Sequence, residues 1–376
     1  MTGHQKYFLK LILALLICLV GLIFIVQKNN NDVFFDLPGL SAENILYRID
    51  DIRPAKENIL TDTETLEMRR VSFLFFGDLM LDRNVKTKIG ESNNIDFLFK
   101  GLAREENRFF MSPDIISANL EGAVTSSGVH YPPISENDFA FNTSTVNGLK
   151  KYNFNFFNIA NNHITDQGPR GLTETTTNLT TLGFDFSGCA DTQIGDCSYK
   201  IVNKNGIKVA MVGLSQVYHL LDINQASELI KKIRAQADII VVNAHWGNEY
   251  EHNFNSKQSA PAHTMIDAGA DIIIGHHPHV VQGLEIYKNK PIFYSLGNFI
   301  FDQYFSTDTQ EELGVGMNYH QADKKMILYL FPMRSVSSVP QLMVDREKNE
   351  FLNKFVTWSK LEESKKSEIL SGILNL

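Results

Sequence analysis

The chemistry-bearing residues of this chain sit where apolar runs stop. Residues 270–274 (ADIII) lead into Gly275-His276-His277-Pro278-His279, which places two imidazoles two positions apart just past a β-branched run. Such a pair on a tight turn can converge on one metal ion or on two adjacent ones, though taken alone it reads first as two surface loop histidines. Four other runs end in the same manner. Residues 71–76 (VSFLFF) lead to Gly77-Asp78, and 114–118 (DIISA) to Asn119-Leu120-Glu121. Residues 156–160 (FFNIA) lead to Asn161-Asn162-His163, and 238–242 (DIIVV) to Asn243-Ala244-His245. Carboxylate, amide and imidazole donors without a thiolate suit Mn, Fe or Zn.

The elements that must position these groups follow from the runs themselves. A short apolar stretch closed by a polar breaker reads as a buried strand, and ligands of open α/β sheets collect beyond the carboxyl ends of such strands. From residue 71 onward these strands alternate with helical patterns at 94–108, 168–182, 224–237 and 256–268, which predicts α/β layers. Asn205-Gly206 between two β-branched runs predicts a hairpin, and Lys288-Asn289-Lys290 a second one. The tail from Pro340 is polar and predicts a helix over 349–370, with Phe351, Leu352, Phe355 and Trp358 packing back on the domain.

Composition sets outer bounds. At 376 residues, 43% of them hydrophobic, the chain has ample material for a core. The net charge of -8 argues against a nucleic-acid partner, because the phosphate-neutralising charge is missing. Residues 7–26 are apolar apart from Lys10, enough for a helix of about 30 Å, the hydrocarbon thickness of a bilayer. No small-residue cleavage pattern follows, so residues 1–27 predict a retained signal anchor with a cytoplasmic stub. Lys6 and Lys10 against Lys28 place the N-terminus in the cytoplasm and the remainder outside the cell membrane. Residues 28–70 read as a linker, 71–335 as the main domain and 336–376 as a C-terminal extension. Cys189 and Cys197, eight positions apart in a Gly- and Asp-rich stretch, are either a local disulfide or two free thiols.

The ordered motifs GDLMLDR, NLEG, ANNHITDQG, HWGNEY, GHHPHVVQG and YSLGNFIFD resemble the CapA family of poly-γ-glutamate capsule synthesis proteins. That family is similar to a branch of the calcineurin-like metallophosphoesterases, and the resemblance covers about residues 71–303. It implies a four-layer α-β-β-α sandwich with two divalent ions at the strand ends. It implies metal ligation by Asp78, Glu121, Asn162, His245, His277 and His279, with His163 as general acid. The superfamily's first motif usually places a His two positions after its Asp; here that residue is Met80, which removes one ligand.

Other residues near these motifs have two readings each. Arg83 is a planar fork for an anionic substrate group, or a salt-bridge partner of Asp82. Trp246, Glu249 and Tyr250 follow His245 and line the pocket, or support it from the core. Asn298, at the end of IFYSLGN, would hydrogen-bond a ligand, and Asp166 would orient the His163 loop. The other histidines have no strand-end context and read as structural or surface groups. Two functional classes remain. One is a membrane-anchored metal-dependent hydrolase acting on a phosphoester or amide of an envelope polymer or its precursor. The other is an accessory subunit that holds an anionic polymer, or a phosphorylated precursor, among other capsule-synthesis membrane subunits.

Overall fold

The computed structural model describes residues 69–376, apart from Asn93 and residues 104–107. The anchor expected at 7–26 and nearly all of the 28–70 linker lie outside the described residues. Among the described residues, no helix is long and apolar enough to cross a membrane.

Two large sheets carry the α/β fold. In the nine-stranded sheet, β1 (Arg70–Leu79), β2 (Ile115–Leu120), β5 (Phe154–Asn158) and β6 (Asp185–Ser187) run parallel in that order. On the other side of β1 lie β14 (Glu311–His320), β15 (Met326–Val336) and β16 (Val339–Leu342), all antiparallel to their neighbours. The short β13 (Asn298–Ile300) pairs with the end of β1, and β17 (Ile373–Asn375) with β15. In the six-stranded sheet, β8 (Ile207–Gln216), β9 (Ile239–Trp246), β10 (Ile272–His276) and β12 (Lys290–Leu296) are parallel. Its edges are antiparallel hairpin partners, β7 (Tyr199–Lys204) beside β8 and β11 (Val281–Tyr287) beside β12. A small parallel pair, β3 (Ala123–Thr125) and β4 (Ala140–Asn142), completes the strands. Parallel strands point one way, so the ends of β1, β2 and β5 share one sheet edge, as do those of β9 and β10.

Side-chain alternation decides what each strand buries. On β1, Val71, Phe73 and Phe75 enter a cluster with Val209, Met211, Val241, Ile272, Ile274 and Phe293 of the other sheet. One position on, Phe76 faces the opposite side among Phe109, Phe110, Phe154 and Phe299. On β9, Ile239 and Val241 join the cluster shared by the two sheets. Ile240 and Val242 pack instead with Ile230 and Ile233 of α3 (Ile223–Arg234) and with Met265 and Ile266 of α4 (Ser256–Ala268). Both faces of these strands are therefore apolar, which is why they read as continuous hydrophobic runs. Gly275 precedes the paired histidines because a Cβ there would lie 1.9 Å from the Tyr294 carbonyl oxygen of β12.

Local signals explain the helix boundaries. Asp222 caps α3 by accepting from the Asn224 and Gln225 amides, and Lys231, Lys232 and Arg234 close its last turn. Asn255 and Gln258 form a capping box on α4. Helix α2 (Gly168–Leu182) has Pro169 in its first turn and left-handed Gly183 at its end. The helix expected over 94–108 is not formed as such: Asp96–Phe99 and Arg108–Met111 are single turns, and the helix at this point is α1 (Arg83–Ser92). Val85 and Ile89 are the only large apolar residues of α1, and of these only Val85 is buried, so the pattern is too sparse to read as a helix from sequence. The tail forms α5 (Asp345–Trp358) and α6 (Glu363–Ser371) rather than one helix. Between them the chain docks on β11, where the Lys360 amide donates to Leu284 and the Ser359 hydroxyl accepts from it. Phe351, Leu352 and Phe355 pack into the cluster between the sheets. Cys189 and Cys197 are disulfide-bonded, with Cα atoms 5.3 Å apart.

Candidate metal centre

Asp78 at the end of β1 is wholly buried. Its Oδ1 accepts from Asn119 Nδ2 at 2.8 Å and its Oδ2 from the His277 amide at 3.2 Å. His279 Nδ1 lies 3.5 Å and His276 Nδ1 3.7 Å from the same carboxylate. Glu121, two residues beyond Asn119, is equally buried, and its Oε1 stands 3.8 Å from both His279 Nε2 and His163 Nε2. His245 at the end of β9 meets Asn119 Nδ2 through Nδ1 (3.2 Å) and Asn162 Oδ1 through Nε2 (2.7 Å). Its ring centroid is 4.9 Å from that of His277. The six residues expected as metal ligands, and His163, are thus brought into one cluster drawn from five strand ends.

Burial and mutual charge shift several groups of this cluster from their ordinary pKa values. Burial alone would raise the Asp78 carboxyl, but the His279 hydrogen bond and the charges of His245, His279 and His276 outweigh it and hold it below the usual range. Glu121 goes the other way: burial, then the Asp78 charge, lift it well above an ordinary carboxyl. Burial lowers His245 far below its ordinary value, His276 to about 4 and His277 to about 3. Neutral imidazole is the form that ligates. Glu121 Oε1, His276 Nδ1 and His277 Nδ1 are buried without a hydrogen-bond partner. Asp78, Glu121 and His245 place one donor atom each within 4.8 Å of one another, and so do Glu249, His277 and His279. The residues present therefore fit divalent ions.

Above this floor opens a cavity of about 510 Å³, lined among others by His163, Arg83, Phe139, Phe301, Glu249 and Tyr250. His163 is oriented by Asp166, whose Oδ2 is 2.8 Å from Nδ1, and its ring packs on Phe139. The Arg83 guanidinium pairs with Asp302 and lies over the Phe139 and Phe301 rings at 4.9 and 5.6 Å. The alternative reading, a pair with Asp82, is not what forms. Asp82 takes His130 Nε2 at 2.9 Å and the Ala140 amide at 2.8 Å instead.

Two expectations for the substrate pocket are corrected. Trp246 does not line it: the indole is 2% exposed, sits in the core beneath α3 and α4, and donates to the Tyr294 carbonyl at 3.0 Å. Its neighbour His245 faces the site, so alternation turns Trp246 away. Asn298 lies behind the pocket: its Oδ1 meets His279 Nδ1 at 3.0 Å and its Nδ2 donates to Gln303 and Thr309. It fixes the imidazole rather than meeting a ligand directly.

Sequence reasoning missed the amide network under the site. Asn119 Nδ2 reaches Asp78, Glu121 (3.3 Å) and His245, while its Oδ1 accepts from Asn158 (2.9 Å) and Asn161 (3.2 Å). The signal was present, since two-residue alternation back from Glu121 puts Asn119 on the same face. Outside the cluster, His130 bridges Asp82 and Asp138, His252 stacks on Trp358, and His263 binds Glu285.

The bacterial capsule synthesis protein family PGA_cap matches residues 72–303, from the start of β1 to just past β13. A capsule biosynthesis protein CapA of Bacillus anthracis is 30% identical over 369 residues, covering 90% of this chain and 86% of the relative. A PGA biosynthesis protein CapA of Bacillus subtilis is 35% identical over 248 residues, covering 62% and 64%. The chain belongs to the CapA family of bacterial capsule synthesis proteins.

Proposed function

We propose that this is a membrane-anchored protein of capsule or poly-γ-glutamate synthesis and export, working through a metallophosphoesterase-like dinuclear metal site in a four-layer α-β-β-α sandwich. The single observation that carries this reading is the convergence of Asp78, Glu121, Asn162, His245, His277 and His279 under one open pocket. Support for the layers comes from one apolar cluster shared by the sheets and another between the six-stranded sheet and its helices. The run at 7–26 supports the anchor. Bound divalent ions would supply Lewis acidity and lower the pKa of water. The protein's own groups do the rest. Arg83, fixed by Asp302, meets an anionic polymer or phosphorylated precursor, and the aromatic walls of Phe139 and Phe301 exclude water around it.

A second reading, an active hydrolase, is favoured by the His163–Asp166 pair, which holds an imidazole at the pocket floor with Nε2 toward Glu121. In that role His163 donates a proton to the leaving oxygen. Met80 favours the non-cleaving role: it is fully buried, and its sulfur accepts the Asp82 amide at 3.0 Å. The experiment measures metal content, polymer output in the producing cell, and turnover on phosphodiester, phosphomonoester and γ-glutamyl substrates. Asp78→Asn is expected to lose metal and polymer together; normal output from a metal-free variant overturns the proposal. His163→Ala keeps its metal, and a loss of turnover of about 10²-fold or more assigns the hydrolase reading.

A further inference from the structure

We infer that Glu249 is a metal ligand, completing with His277 and His279 a two-imidazole, one-carboxylate set at the pocket side of the cluster. The inference rests on the metal-site reading above and adds a donor outside the expected set. The three residues offer ligand atoms that all lie within 4.8 Å of one another. His277 is 4% exposed and its Nδ1 has no hydrogen-bond partner, so the set includes a buried ring nitrogen that no protein group engages. Two neutral imidazoles and one carboxylate form a recurring donor set for zinc and iron that leaves positions open to a substrate.

The loop carrying Glu249 is fastened against the histidine turn. The Tyr250 amide donates to the Pro278 carbonyl at 2.8 Å, and Gln282 Nε2 donates to the Glu251 carbonyl at 2.7 Å. Gly247 lets the chain leave β9 at φ 97°, where a Cβ would lie 2.6 Å from the Gln258 side chain. Tyr250, His277 and His279 all hold positive φ on the two facing turns, strain that is retained where packing and function demand it. Glu249 in this way supplies a donor that position 80 does not, since the Met80 sulfur is engaged with the Asp82 amide.

The test titrates zinc alone into the metal-free full-length chain and counts bound ions and their affinities. The wild type is expected to hold two ions. Glu249→Gln holds one of them unchanged and the other at least about 10-fold more weakly, by analogy with lost ligand support at such sites. Glu249 is exposed, so the variant is expected to melt with the wild type by circular dichroism, which separates ligation from folding. Unchanged binding in Glu249→Gln overturns the assignment while leaving the wider site intact. A wild-type chain that takes up no zinc overturns both this inference and the proposed function.

Discussion

Replacing Asn119 by Ala should weaken the fold through the site rather than through the core. The side chain is fully buried and spans both carboxylates and His245. Its 2.8 Å bond to Asp78 is charge-assisted, a class whose loss costs about 1.5–3 kcal/mol. The longer contacts to Glu121 and His245 share the remaining proton and add about 1 kcal/mol. On the Oδ1 side the loss is small, because Asn158 retains Ala160 and Asn161 retains Leu120 as second acceptors. The total is roughly 2.5–4 kcal/mol. With an unfolding entropy of about 2.1 cal/mol/K per residue, a domain of about 300 residues loses about 4–6 °C in Tm. The assay is thermal denaturation without added metal. A Tm for Asn119→Ala within about 1 °C of wild type would refute the reasoning.

Two other outcomes follow from groups away from the site. Glu312 is buried with neither carboxylate oxygen partnered, and burial raises its carboxyl well above the ordinary value. A raised folded-state carboxyl destabilises as pH climbs past the unfolded value of about 4.3, by about 1.4 kcal/mol per unit until the folded value is reached. Glu312→Leu should therefore match wild type near pH 4 and exceed it by about 1–3 kcal/mol at pH 7.5 in urea melts. A gain that does not change with pH contradicts this. Removing the Cys189–Cys197 crosslink by double Ser substitution should cost about 2.5 kcal/mol, from the short loop it closes. An equal Tm for the two proteins would show that the crosslink does not constrain the unfolded chain.

The strand ends were legible because apolar runs and their polar stops are local features. Asp78, Glu121, His163, His245 and the paired histidines each announced themselves within a few residues. The hairpin at Asn205-Gly206 was equally local, with both turn residues at positive φ. What escaped depends on contacts distant in sequence. Arg83 pairs with Asp302 rather than adjacent Asp82, because Asp82 is occupied by a histidine and an amide from a later loop. The Glu249 loop is held by the Pro278 carbonyl and the Gln282 side chain, both about 30 positions away in sequence, so nothing local shows which way it faces. Helix α1 was missed because it offers only two large apolar residues, Val85 and Ile89, too few to set a pattern.

The PGA_cap match ends at residue 303, yet β14 pairs with β1 along six registered positions and lies beyond that limit. Trimming the protein to residues 72–303 would strip one flank of the strand that bears Asp78 and leave a long greasy rim open to other chains. Aggregation of such a fragment would thus report a missing seam, and would say nothing against the chemistry of the pocket.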